Sequence, residues 1–105
     1  MTKMIRTLAV LAATVCLASS MSFAQSAGEA VYKSKCQMCH GPNGTPNPAM
    51  AKAMGIKPAS DPDIKKLSAD QMLASVKNGK GKMKPVAGLS DAQMKDAVAY
   101  FRTLK

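Results

Sequence analysis

Two cysteines and a histidine lie close together in the sequence, in a pattern whose side chains can act chemically as a group. The segment Cys36-Gln37-Met38-Cys39-His40 has the form C-x-x-C-H. Two thiols one helical turn apart can each form a thioether bond with one vinyl group of a haem, and the adjacent imidazole then lies beneath the iron. The pentad therefore predicts one covalent haem c held by Cys36 and Cys39, with His40 as an iron ligand.

Three other uses of such a cluster agree less well with the rest of the chain. A structural zinc site needs four protein ligands and a catalytic one needs three, but His40 is the only histidine and the third cysteine, Cys16, lies in the N-terminal segment. A thioredoxin-like redox pair requires a strand–helix scaffold, and the sequence predicts no strands. A disulfide between Cys36 and Cys39 would close too small a loop to stabilise the fold much.

The iron needs a second axial ligand, which in electron carriers is usually methionine or histidine. The chain has one histidine and nine methionines, so position must decide among the methionines. Met72 and Met94 fit hydrophobic staples at helix N-termini, where packing explains them. Met83 lies in a glycine-rich loop that can cover the opposite face of the haem. We therefore predict Met83 as the ligand, with Met50 and Met54 as alternatives.

The segments that must position these side chains read as helices joined by irregular loops, without the alternation of polar and apolar residues that is typical of strands. Ser26, Ser68 and Ser90 are each followed three residues later by Glu or Gln, as in a capping box. Three main helices are predicted, at about 27–38, 69–77 and 91–104. Shorter helical turns are expected at 49–54, and from Asp61 with Pro62 in the first helical position.

The N-terminal 24 residues look like an export signal. Two basic residues precede an apolar run, and Ser22 and Ala24 supply the small side chains that signal peptidase reads. The run is short for a membrane span, and polar residues follow it. We predict a signal peptide over 1–24, cleaved near Ala24, and a single domain over 25–105 in the periplasm. An uncleaved membrane anchor is the alternative.

Four parts of the sequence resemble a small bacterial class I cytochrome c. They are Gly28-x-x-x-Tyr32, the segment 36–41, the loop 78–83 and the closing 98–102. The resemblance implies an all-α fold of about three main helices and short helical turns wrapped around one covalent haem. It also implies that the first and last helices cross closely at Gly28, against Tyr100 or Phe101.

The resemblance implies a role for each site residue. Thioether bonds form at the positions of Cys36 and Cys39, and the positions of His40 and Met83 ligate the iron. One difference from the family pattern is that Lys84 separates Met83 from the following proline. A backbone carbonyl near Pro48, Pro46 or Pro58 is expected to accept a hydrogen bond from the other nitrogen of the histidine ring.

The function predicted from these features is one-electron transfer between redox proteins, without enzymatic bond chemistry. Three alternatives remain: a haem sensor with an open iron site, a redox subunit that works only when docked to a larger enzyme, and a small exported disulfide protein without haem. The formal net charge is +9, and four lysines crowd the loop of Met83: Lys77, Lys80, Lys82 and Lys84. Partners with acidic docking surfaces are therefore expected. Neither nucleic-acid binding nor membrane insertion after signal cleavage is expected.

Overall fold

The computed structural model describes residues 25–105, and its regular secondary structure is helical. Six helices follow one another within the described residues: α1 (25–35), α2 (Gln37–His40), α3 (Pro48–Met54), α4 (Pro62–Lys65), α5 (Ala69–Asn78) and α6 (Asp91–Phe101). Within these residues no strand forms, and the one isolated bridge joins Lys80 to Met83. The all-α prediction is thus confirmed, whereas the signal peptide predicted over 1–24 lies outside the described residues.

The capping boxes of α5 and α6 form as predicted. The Ser68 hydroxyl accepts a hydrogen bond from Gln71 N at 3.1 Å, and the Gln71 side chain accepts one from Ser68 N at 2.8 Å. Ser90 and Gln93 repeat the arrangement at 3.2 and 2.8 Å. Each box satisfies two backbone N–H groups that have no partner within the helix, which fixes where the helix starts.

The short helices also begin with the expected signals. Asp61 caps α4 by accepting a hydrogen bond from Asp63 N at 2.8 Å, and Pro62 occupies the first helical position. Asn47 caps α3 in the same way, through Ala49 N at 2.9 Å. No helix in residues 25–105 is long and apolar enough to cross a membrane.

The first helix differs from its prediction at both ends. The chain is already helical at residue 25, so Ser26 lies inside α1 and the capping box predicted there is wrong. The helix also does not run on to residue 38, because Cys36 adopts φ −115° and serves as the N-cap of α2. The pentad therefore begins at a break between two helices rather than inside one.

The first and last helices cross closely at Gly28, as the resemblance implies. A Cβ atom on Gly28 would overlap the backbone carbonyl of Asp96 and lie 3.0 Å from the Tyr100 Cβ. The Tyr32 ring lies against α6, with ring centroids 5.4 Å from Tyr100 and 6.1 Å from Phe101. Tyr32 is only 1% exposed and is joined in the core by three small side chains: Ala59, Ala97 and Val98.

Candidate haem site

The two cysteines lie on a single helical turn. Both Cys39 N and His40 N donate to the Cys36 carbonyl, at 3.2 and 3.0 Å, and Cys36 N donates to the Tyr32 carbonyl at 2.9 Å. The two side chains are half-buried and present as free thiols. Burial raises the pKa of the Cys36 thiol, and the neighbouring Cys39 raises it further by a smaller amount. Two free thiols on one turn are the arrangement that attachment to two vinyl groups requires.

The imidazole of His40 is half-buried at the end of α2. Burial lowers its pKa, which favours the neutral ring that can donate a lone pair to a metal. The Phe101 ring meets it edge-on, with centroids 5.6 Å apart and planes at 66°. The donor set of two thiols and a neutral imidazole therefore fits a covalent haem.

The hydrogen bond expected from His40 to a proline carbonyl does not form. Its Nδ1 atom is buried and has no hydrogen-bond partner within residues 25–105. The loop that follows is fixed by other contacts, since Ala59 N donates to the Gly44 carbonyl at 2.8 Å. The expectation of a carbonyl near Pro46, Pro48 or Pro58 is therefore wrong for the described residues. Contact with Phe101 orients the ring instead.

Tyr32 contributes to the site through its hydroxyl group. The hydroxyl donates a hydrogen bond to the carbonyl of Gly41, the residue that follows His40. It thereby ties the end of the pentad to α1 and, through the aromatic contacts, to α6. This role of Tyr32 is not predicted above, although Gly28 and Tyr32 are four residues apart and so lie on one helical face.

The loop of Met83 is a tight turn held against α5. Lys80 and Met83 exchange two backbone hydrogen bonds of 2.9 Å, and Val86 N donates to the Val76 carbonyl at 2.9 Å. Gly79 has φ 78°, and a Cβ atom there would lie 2.6 Å from the Met83 carbonyl. Only glycine accommodates both the positive φ and the close approach. The turn thus depends on this residue.

Burial does not separate the candidate axial methionines. Met83 is half-buried, and so are Met50 and Met54 on α3. Met38, inside the pentad, is 88% exposed. The choice of Met83 over Met50 and Met54 remains a prediction.

Two other uses of the pentad, a zinc site and a thioredoxin-like pair, would need further structure around it. Between residues 25 and 105, no group of three or more His, Cys, Asp or Glu side chains is arranged to hold a metal ion. The same part of the chain contains no sheet on which a thioredoxin-like pair could sit. A cleft of about 310 Å³ nearby is lined by Phe101 but not by the pentad or Met83.

An all-helical domain with a C-x-x-C-H pentad is the class I c-type cytochrome arrangement, and comparisons with known proteins agree. The family described as "Cytochrome C oxidase, cbb3-type, subunit III" matches residues 23–101. The solved structure of KustC0563 c-type cytochrome is similar, with 25% sequence identity and a TM-score of 0.66. That similarity covers 74% of this chain and 96% of the other. A comparison with curated proteins gave no match.

The family match extends over most of the chain, and the chain therefore belongs to this family of c-type cytochromes. Membership implies a covalently bound haem c with its iron, and haem-based electron transfer with redox partners.

The hydroxyl of Tyr32 gives a prediction that combines stability and pH. We expect Tyr32→Phe to lower the free energy of unfolding by about 1–2 kcal/mol near pH 7, because the buried Gly41 carbonyl loses its donor. Burial raises the pKa of Tyr32 from 10.0 to about 12. Because the pKa of Tyr32 is higher in the folded state than in the unfolded state, the resulting stabilisation is complete below the unfolded-state pKa. It is lost as the pH rises through the folded-state pKa. The advantage of wild type over Tyr32→Phe should therefore shrink between pH 10 and 12.

The measurement is chemical denaturation of the haem-loaded proteins across this pH range. Tyr100→Phe is the control, because it removes a hydroxyl from the ring that packs against Tyr32. If the two variants differ from wild type by the same amount at every pH, the role given to the Tyr32 hydroxyl is wrong.

Proposed function

We propose that this chain is an exported carrier of single electrons in the periplasm. Residues 1–24 direct export and are removed near Ala24, and the domain 25–105 holds one haem through thioether bonds from Cys36 and Cys39. His40 and Met83 would ligate its iron. The observation that carries the proposal is the C-x-x-C-H pentad on a one-turn helix, with free thiols and a neutral imidazole, in a chain of the c-type cytochrome family.

The chain's own residues keep the geometry of the site nearly constant during the reaction. A haem held by Cys36, Cys39 and His40 would supply reversible one-electron chemistry, and no bond in a substrate would be made or broken. Phe101 and the Tyr32–Gly41 hydrogen bond hold the segment of His40. The turn of residues 80–83 holds Met83. A methionine opposite the histidine raises the reduction potential relative to a more basic ligand.

The mode of attachment can be tested by mass. Protein exported with its own N-terminus should have the mass of residues 25–105 plus one haem, and acid–acetone should not extract the colour, because both thioether bonds are covalent. Replacing both Cys36 and Cys39 by serine should leave no covalently bound haem. A colourless mature protein, or one whose haem is extracted, would contradict the proposal. If the mass shows that residues 1–24 are retained, the predicted signal cleavage is contradicted, but haem attachment is not.

The sixth ligand can be tested by substituting methionines one at a time. We expect Met83→Ala to abolish the weak far-red sulfur-to-iron band of the oxidised protein and to lower the potential. Met72→Ala and Met94→Ala should keep the band and lower the free energy of unfolding, by about 2–5 kcal/mol if their side chains pack in the core.

Absorption spectra and potentiometric titration of the same preparations decide the assignment. A band that survives Met83→Ala would contradict it, and Met50 or Met54 would become the candidate. A wild-type reduced form that binds carbon monoxide readily would favour the sensing alternative over the electron carrier.

The loop lysines support an acidic redox partner, but they are not equivalent. Lys77 pairs with Asp91 at 3.3 Å, and the Lys82 ammonium donates to the Ala53 carbonyl at 2.8 Å. Lys80 and Lys84 are exposed in the same loop. A field of exposed positive charge raises the encounter rate with an acidic partner, which suits a brief electron-transfer complex. Lys80 and Lys84 are the proposed steering charges.

A double charge reversal tests this role. Lys80→Glu with Lys84→Glu should slow reaction with an acidic redox partner at low salt and flatten its dependence on ionic strength, because exposed charges act over a Debye length of about 8 Å near 0.15 M salt. The potential should change little. Stopped-flow rates across a salt series provide the measurement.

The matched control is Lys65→Glu with Lys66→Glu. These residues lie near the start of α5, and the loop of Met83 follows its end. The ten residues of α5 span about 15 Å, which separates the control lysines from the loop. Lys66 does pair with Asp63, but the pair is exposed and contributes little to stability. Equal slowing by both double variants would mean that only net charge matters.

A further inference from the structure

The turn that carries Met83 is connected to two different helices. On one side it is continuous with α5, since Gly79 N donates to the Ser75 carbonyl and Val86 N to the Val76 carbonyl, both at 2.9 Å. These backbone bonds fix where the loop leaves and returns to α5. Neither bond involves residues 80–83, which form the turn itself.

The second connection is a single side chain. The Lys82 ammonium donates a hydrogen bond of 2.8 Å to the carbonyl of Ala53, 29 positions earlier in the chain. Ala53 lies in the last turn of α3, where helix carbonyls have no partner within the helix and carry partial negative charge. Among the hydrogen bonds of residues 25–105, this one joins the Met83 turn to α3.

We propose that Lys82 is a positioning residue for the axial methionine. Its ammonium caps the C-terminal end of α3 and so fixes the turn at the residue directly before Met83. Without this bond, the turn can swing about its α5 attachment, and Met83 leaves the iron more often. The inference rests on the proposed ligation by Met83. It assigns Lys82 a role distinct from the electrostatic steering proposed for Lys80 and Lys84.

The loop provides a matched comparison for this idea. Lys80 belongs to the same turn, carries the same charge and is exposed. Replacing either lysine by methionine removes one positive charge and keeps a long side chain. Any difference between Lys82→Met and Lys80→Met therefore reports on the bond to Ala53 rather than on charge. Lys82→Arg keeps a cationic donor at the same position and serves as the rescue variant.

The experiment is competition by imidazole for the sixth coordination position of the oxidised, haem-loaded protein. Loss of the far-red sulfur-to-iron band reports displacement of the methionine. In Lys82→Met the apparent Kd for imidazole should fall about two- to fivefold, the effect of losing one exposed charged hydrogen bond. Lys80→Met and Lys82→Arg should remain near the wild-type value. If Lys82→Met does not assemble with haem, Lys82→Gln replaces it, because its shorter side chain ends in a neutral amide.

The outcomes distinguish failure of the positioning role of Lys82 from failure of the iron ligation by Met83. The positioning role is overturned if Lys82→Met and Lys80→Met bind imidazole with equal affinity. If the far-red band still depends on Met83, the ligation by Met83 stands. A band that persists in Met83→Ala overturns both. Urea denaturation of the same variants provides the structural control. If imidazole affinity changes only in proportion to global stability, Lys82 has no specific role at the axial ligand.

Discussion

Where α1 and α6 cross, the missing side chain of Gly28 allows the backbone at Asp96 to lie directly against the first helix. This approach brings Tyr100 and Phe101 onto the ring of Tyr32. Two contacts to the pentad originate there, since the Tyr32 hydroxyl bonds the Gly41 carbonyl and the Phe101 ring meets His40. A larger residue at position 28 would separate the helices and weaken both contacts together. The orientation of the histidine therefore depends on a helix crossing that does not include it.

The described domain has few other means of stabilising this arrangement. Tyr32 is its one large side chain that is completely buried, and the other core residues are small. The ion pairs of Glu29 with Lys33 and of Lys57 with Asp63 are exposed, and such pairs contribute little. A domain of this size buries a modest fraction of its surface and usually needs a cross-link, a metal or a cofactor. The covalent haem that the family implies would add a large apolar surface to such a domain.

Features encoded locally in the sequence could be predicted, and those that depend on distant contacts could not. The boxes at Ser68 and Ser90 gave the starts of α5 and α6, because all the atoms involved lie within four residues. The box at Ser26 failed, because the same pattern is compatible with a position inside a helix. The break at Cys36 was not predicted, since no breaking residue marks it.

Contacts between the site and distant residues could not be predicted from the sequence either. The bond from Lys82 to Ala53 spans 29 positions, and nothing near Lys82 in the sequence distinguishes it from the other lysines of the loop. For His40, the expected carbonyl partner was inferred from the general chemistry of metal-bound histidines, whereas the contact that forms is with Phe101, which α6 brings across. The pentad itself was predictable because attachment chemistry fixes its spacing.

The loop lysines look alike in the sequence, yet their contacts divide them by role. Lys77 pairs with Asp91, which offsets its charge, whereas the Lys82 ammonium donates to the Ala53 carbonyl and keeps its full charge. Lys80 and Lys84 are exposed to solvent, where a partner would meet their charges. A loop that both holds an axial ligand and attracts a partner has conflicting requirements, because the first needs a rigid backbone and the second needs exposed, mobile charge. If Lys82 positions Met83 and if Lys80 and Lys84 steer a partner, as proposed, alternate lysines of one short segment meet both requirements.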